Sequence, residues 1–191
     1  MNSTHPIRVA VIVGSTRPGR IGGTVGAWFA AQVAARPDMD VDVIDLMTAA
    51  LPASFPAEAD EHVASYVARV DAADAYVVVT PEYNHGYPGP LKQAIDLAHR
   101  EWNAKPVAFV AYGGMAGGMR AVEQLRQVFA ELHAVTVRDT VGFHGVHGAF
   151  ADDGRPVDSA GPDAAAKRLI DQLAWWAFAL REARQQRPYA A

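Results

Sequence analysis

At 191 residues, half of them apolar and a fifth charged, the chain can bury one substantial core, and residues 1–191 are read as a single domain. A net charge of −4 supplies no basic field for counterion release, which sets nucleic acid aside as a partner. The lack of cysteine excludes disulfides, thiolate metal sites and cysteine nucleophiles, so redox chemistry here needs a cofactor.

Met1 to Arg8 carries no basic stretch followed by an apolar run, and no later segment approaches the roughly 18 consecutive apolar residues of a membrane span. A cytoplasmic location with no membrane partner is therefore expected. Ile7 to Val13 is a β-branched run that stops at Gly14, the pattern of a strand buried on both faces. From Ile21 the apolar positions Val25, Phe29 and Val33 recur at helical spacing until Pro37. Val41 to Leu46 reads as a second strand, and Val63, Val67 and Val70 mark a second helix after a loop from Leu51 to Pro56. Ala75 to Thr80 and Val107 to Tyr112 read as third and fourth strands, ending at Pro81 and at Gly113-Gly114. A helix is expected after each, one with Leu91, Ile95, Ala98 and Trp102 on one face, the other with Val122, Leu125, Phe129 and Leu132. Val135 to Val141 completes a set of five strands. A polar loop from Gly142 to Gly161 then leads to a last helix whose Leu169, Leu173, Trp176 and Leu180 should cover the sheet, leaving Trp175 and Phe178 pointing away.

Strands alternating with helices imply a parallel sheet covered on both faces and joined by right-handed crossovers. Five strands suit an α/β, doubly wound sheet of flavodoxin-like order 2-1-3-4-5. In that order the first, third and fourth strands are neighbours, and ligands bind beyond their carboxyl ends, where the winding reverses. The three unusual loops of this sequence follow those three strands.

The first loop, Gly14 to Thr24, offers backbone N–H groups, the hydroxyls of Ser15 and Thr16 and the guanidiniums of Arg17 and Arg20 at a helix start, a donor set suited to a phosphate monoester. It lacks the Gly-Lys-Ser/Thr ending of a nucleoside-triphosphate loop and does not spell G-x-G-x-x-G. Asp45 stands where a dinucleotide fold places its ribose-binding acid, so that rival stays open, as does a plain capping turn with two solvated arginines. In the second loop, Pro81 to Pro90, prolines and glycines fix an irregular backbone that can aim N–H groups and aromatic rings at a planar ligand. In the third, Gly113-Gly114-Met115-Ala116-Gly117-Gly118, four glycines let backbone lie against a flat ring; a tight turn between strand and helix is the alternative. His144 and His147 have a spacing that a metal could use, but no carboxylate cluster accompanies them and no metal is assigned.

Gly14-Ser15-Thr16-Arg17, Pro81-Glu82-Tyr83-Asn84 with Pro88 to Asp96, and Tyr112-Gly113-Gly114 with Gly117 to Ala121 together resemble the NADPH-dependent FMN reductases of flavodoxin-like fold, a family that includes quinone and azo-dye reductases. The resemblance spans Val9 to about Leu132. It implies bound FMN as cofactor, NADPH or NADH as electron donor, and a small acceptor such as free flavin, a quinone or an azo compound. It assigns Ser15, Thr16, Arg17, Arg20 and Gly22 to the phosphate end, Pro81, Glu82, Tyr83 and Asn84 to the ribityl and ring, and Tyr112, Gly113, Gly114 and Gly117 to the pyrimidine side. At position 22 several relatives place a phosphate-binding asparagine, and at position 86 many have serine, where this chain has glycine. Glu82 and His85 could exchange protons, but hydride chemistry belongs to the flavin, and no side chain is assigned a catalytic role. The rival from another class is a flavodoxin-type carrier that meets only protein partners. The resemblance also implies a homodimer or homotetramer, with the last helix offering its outward aromatic residues.

Overall fold

Each of the five apolar runs forms a strand, and the strands pair in parallel in the order β2-β1-β3-β4-β5. They are β1 (Ile7–Val13), β2 (Met39–Asp45), β3 (Ala75–Pro81), β4 (Pro106–Tyr112) and β5 (Val135–Phe143). A computed structural model describes residues 5–58 and 60–190. Every residue of β3 and β4 is buried, as expected of central strands covered on both sides, whereas the edge strand β2 exposes Asp40 and Val43.

Alternation along the strands feeds two cores. On one face Val9, Val11, Val77, Val79 and Val110 pack against α1 (Gly22–Ala34) and α5 (Ala160–Gln186). On the other, Ile12, Tyr76, Val78 and Phe109 pack against α2 (Glu61–Ala72), α3 (Gly89–Leu97) and α4 (Met119–Glu131). No helix among the described residues is long and apolar enough to cross a membrane.

Several boundaries differ from the sequence reading. β2 runs from Met39 to Asp45, while Leu46 still donates its N–H to the Val13 carbonyl at 3.2 Å from just beyond the strand end. β5 continues to Phe143 because Tyr112 has a partner there, which shortens the following loop to 144–159. The third helix ends at Leu97 instead of carrying Trp102. Ala98 is extended, and Trp102 sits in a short 3-10 turn, Arg100–Trp102, that folds back onto the helix end. Its indole N–H donates to the carbonyls of Ile95 at 3.1 Å and Ala98 at 3.0 Å, satisfying acceptors that a helix terminus would otherwise bury unpaired.

The last helix needs a larger correction. Its buried stripe is Ala166, Leu169, Ile170, Leu173, Ala174 and Ala177, so Trp176 does not cover the sheet. The small residues at 166, 174 and 177 leave no room for an indole between helix and strands. Trp176 instead lies outside with Trp175 and Phe178, at 36%, 64% and 39% exposure, and the two indoles meet edge to face at 5.0 Å.

Candidate active site at the strand ends

Beyond the carboxyl ends of β1, β3 and β4 lies a cleft of about 270 Å³. Its first wall begins at Gly14, whose N–H donates to the Val79 carbonyl at 2.8 Å and so holds the first loop beside β3. Ser15 is almost fully buried, and its Oγ shares a 2.8 Å hydrogen bond with the Tyr83 hydroxyl, tying the first loop to the second. Arg17 is exposed, with its guanidinium over the Tyr83 ring, 5.4 Å from the centroid. The helix α1 starts after these residues without a side-chain cap and without an acidic residue in its first turn. Its partial positive charge therefore faces the cleft uncompensated by any protein carboxylate in that turn.

Arg20 behaves differently from Arg17. One terminal nitrogen is ion-paired with Asp45 and the other rests against the Met47 sulfur, while Nε is buried without a partner. Asp45 also accepts the Met47 N–H at 3.0 Å. The carboxylate that a dinucleotide fold would offer to a ribose is thus committed to closing the first loop onto the end of β2. This removes the main support for that rival.

The second loop is a tight hairpin. Tyr83 N–H donates to the Gly86 carbonyl at 2.8 Å and Gly86 N–H returns to the Tyr83 carbonyl at 3.0 Å. Asn84 and His85 form its tip with φ of 50° and 71°, the double positive turn that suits the twist of a two-residue hairpin. Glu82 N–H donates to the Tyr112 carbonyl at 3.0 Å, which extends the pairing of β3 with β4 into the loops. The Glu82 carboxylate accepts the Arg120 N–H at 3.1 Å and pairs with the Arg120 guanidinium at 2.9 Å. It holds the start of α4, and this use accounts for its chemistry better than proton transfer does.

The third loop is fastened from the far side. Gly145 N–H donates to the Gly114 carbonyl at 2.9 Å and Val146 N–H to the Gly113 carbonyl at 3.1 Å, which brings Val146 and His147 into the cleft wall. His144 shares a 3.0 Å hydrogen bond through Nδ1 with the Met115 carbonyl. Among the described residues no group of three His, Cys, Asp or Glu side chains could hold a metal ion.

Of the residues assigned from sequence, Ser15, Arg17, Arg20, Pro81, Glu82, Tyr83, Tyr112, Gly113 and Gly114 line one cleft. Thr16, Gly22, Asn84 and Gly117 do not: Asn84 is at the exposed hairpin tip, Gly117 packs on the His144 ring, and Gly22 lies under the Tyr112 hydroxyl. The wall also includes Pro18, Gly19, Ile21, Val146 and His147, none of which was assigned. The first three lie inside the quoted loop and adjacency could have found them. Val146 and His147 are brought to the cleft by hydrogen bonds across the sheet end and by burial of Val146 in the core, for which the sequence carries no local signal.

Residues 7–148 match the family model described as NADPH-dependent FMN reductase. The chain belongs to that family. An NAD(P)H-dependent FMN reductase of Schizosaccharomyces pombe is 35% identical over 130 residues, 63% of this chain and 64% of the relative, so the alignment spans just under two thirds of that protein. A probable NADPH:quinone oxidoreductase of Oryza sativa is 32% identical over 94% of this chain and 93% of its own length. The solved structure of the NAD(P)H:acceptor oxidoreductase FerB from Paracoccus denitrificans superposes with a TM-score of 0.69 at 26% identity, covering 89% of this chain and 97% of that one. That superposition takes in most of the chain whose five-stranded sheet holds the cleft here.

Gly118 is the residue on which the third loop depends most. Its φ is +87°, and a Cβ there would stand 2.6 Å from the Ala111 Cβ and 2.6 Å from the Tyr112 backbone nitrogen. Gly118→Ala should lower unfolding free energy by roughly 2–4 kcal/mol through backbone strain and overpacking together. Urea denaturation checks this; a midpoint equal to that of the parent protein would mean that the loop relaxes without cost.

Proposed function

We propose that the protein is an FMN-dependent oxidoreductase that takes electrons from NAD(P)H and passes them to a small acceptor such as free flavin, a quinone or an azo compound. The observation that carries this reading is the convergence of three loops on one cleft with two unlike ends. At one end, Ser15, Arg17 and the α1 N-terminus are the donors for a terminal phosphate. At the other, Pro81, Glu82 and Tyr83 with Tyr112, Gly113 and Gly114 form a glycine-bearing, aromatic wall that a planar ring can approach. Two buried polar atoms of residues that line the cleft, the Tyr112 hydroxyl beside the start of α1 and Arg20 Nε in the first loop, lack well-formed protein partners, which fits a ligand with acceptor oxygens.

FMN bound in this cleft would supply hydride acceptance and hydride donation. The protein's share is orientation and electrostatics. The Ser15–Tyr83 hydrogen bond and the Glu82–Arg120 pair fix the ring-side loop, and any free backbone donor near Gly113 and Gly114 would stabilise negative charge on the reduced ring. Electron donor and acceptor use the same open side in turn. Residues 1–191 act as one domain in this reading, and its place of work is the cytoplasm, where nicotinamide nucleotides are supplied.

Anaerobic addition of NADPH to the FMN-loaded protein should bleach the flavin within a turnover, and initial-rate plots should give the parallel lines of a ping-pong mechanism. Flavin that responds only to a separate reductase protein, and to neither nicotinamide directly, would identify an electron carrier instead.

A homodimer or homotetramer is part of the same proposal. Trp175, Trp176 and Phe178 expose aromatic surface on one stretch of α5, and leaving a Phe-sized side chain in water forfeits about 1.5–3 kcal/mol. Sedimentation equilibrium at micromolar concentration should return at least twice the 20.4 kDa chain mass. Replacing Trp175 and Phe178 by alanine should shift it toward the monomer, and an unchanged dimer would move the interface to another surface.

A further inference from the structure

The first residue of α1, Gly22, has no side chain, and the place its Cβ would take is filled by the hydroxyl of Tyr112. Tyr112 ends β4 and reaches across the end of β3 to arrive there. Tyr112 belongs to the cleft wall and is only 4% exposed, and its buried hydroxyl, just behind that wall, makes no well-formed hydrogen bond within the protein. The Ser15 hydroxyl stands beside it and already shares a 2.8 Å hydrogen bond with Tyr83, and although the two hydroxyls are close, no well-aligned bond forms between Ser15 and Tyr112. Burial pushes the Tyr112 phenol well above its ordinary range, so at neutral pH it is an O–H and can donate.

A buried hydroxyl without a partner costs free energy, and native structures seldom leave one so. What could satisfy it is limited by what surrounds it. Arg20 Nε, also buried and unpartnered on the same cleft, can only donate. The uncapped N-terminus of α1 likewise presents N–H groups. Donors converge here from two strand ends and one helix start, so the missing partner is an acceptor with several oxygens and negative charge.

We propose that the Tyr112 hydroxyl is a phosphate ligand of the flavin site, a donor supplied by β4 in the space left by the missing side chain at Gly22. This rests on the FMN reading of the cleft and adds a specificity element to it: Tyr112 favours a flavin that carries a terminal phosphate over riboflavin, which lacks one. Position 22 and position 112 form one functional pair, since either a side chain at 22 or a hydroxyl at 112 can occupy the point above the helix start, but not both. A Cβ at 22 would lie 3.4 Å from the Tyr112 Cζ, so the ring itself can stay when its hydroxyl is removed.

Dissociation constants for FMN and for riboflavin, measured by quenching of flavin fluorescence on the full chain, test the proposal. Tyr112→Phe should weaken FMN about tenfold to a hundredfold, the range for losing one hydrogen bond to a charged group, and leave riboflavin within about twofold. Adding Gly22→Ser to Tyr112→Phe should recover about tenfold in FMN affinity, because the new hydroxyl enters the vacated point. An unchanged FMN constant in Tyr112→Phe overturns the proposal, as does an equal loss for both flavins with an unchanged thermal midpoint. If Tyr112→Phe alone proves unstable, the double variant decides: FMN preference restored supports the pair, and no preference overturns it. Parent protein that binds neither flavin contradicts the FMN reading itself, which separates that failure from the failure of Tyr112.

Discussion

Pairing of β1 with β3, Val9 opposite Ala75 through Val13 opposite Val79, sets the end of the first strand beside the end of the third, and β4 then adds to β3 from Tyr76 opposite Val107 to Pro81 opposite Tyr112. The three loops that leave these ends are far apart in sequence and adjacent in space. Hydrogen bonds continue the ladder past the strands: Gly14 to Val79, Glu82 to Tyr112 and Gly113 to Phe143. The cleft is an extension of sheet register, and so its walls inherit the rigidity of a sheet whose central strands are buried on both faces.

Electrostatics in the cleft follow from how the available charges are spent. Asp45 neutralises Arg20 and Glu82 neutralises Arg120, which leaves the exposed Arg17 as the first loop's remaining cation at the mouth. The interior then relies on neutral donors: the α1 terminus, Ser15 and Tyr112. Such donors stabilise an anion without the desolvation cost of burying an unpaired guanidinium. The same division would let an overall acidic chain offer the proposed phosphate site.

Much of the architecture was legible because it depends on period and punctuation. Continuous β-branched runs ending at Gly14, Pro81 and Gly113 mark buried strands, and the loops after them carry the glycines, prolines and hydroxyls of the site. What escaped depends on contacts distant in sequence. The helical spacing of Trp102 with Leu91 and Ile95 is real, yet its indole turns back to serve two carbonyls at the helix end. Trp176 fits the same stripe as Leu169 and Leu173 on a wheel, but Ala174 and Ala177 bring α5 too close for it. Arg20 reads as a phosphate ligand by its position in a loop, and only the fold reveals Asp45 at the end of β2 as its partner. His147 was visible as a residue and invisible as a wall, because Val146 N–H must bond Gly113 before it arrives there.

The proposed flavin site lies between the loops after β1, β3 and β4. Amide hydrogen–deuterium exchange of the flavin-free and FMN-loaded protein tests it most directly, since it reports each loop separately. Slowed exchange on FMN binding is expected in residues 14–24, 82–87 and 113–118 and at the adjoining 146–147, with little change elsewhere. Protection confined to the groove between α1 and residues 152–163, with those three loops unaffected, would contradict it.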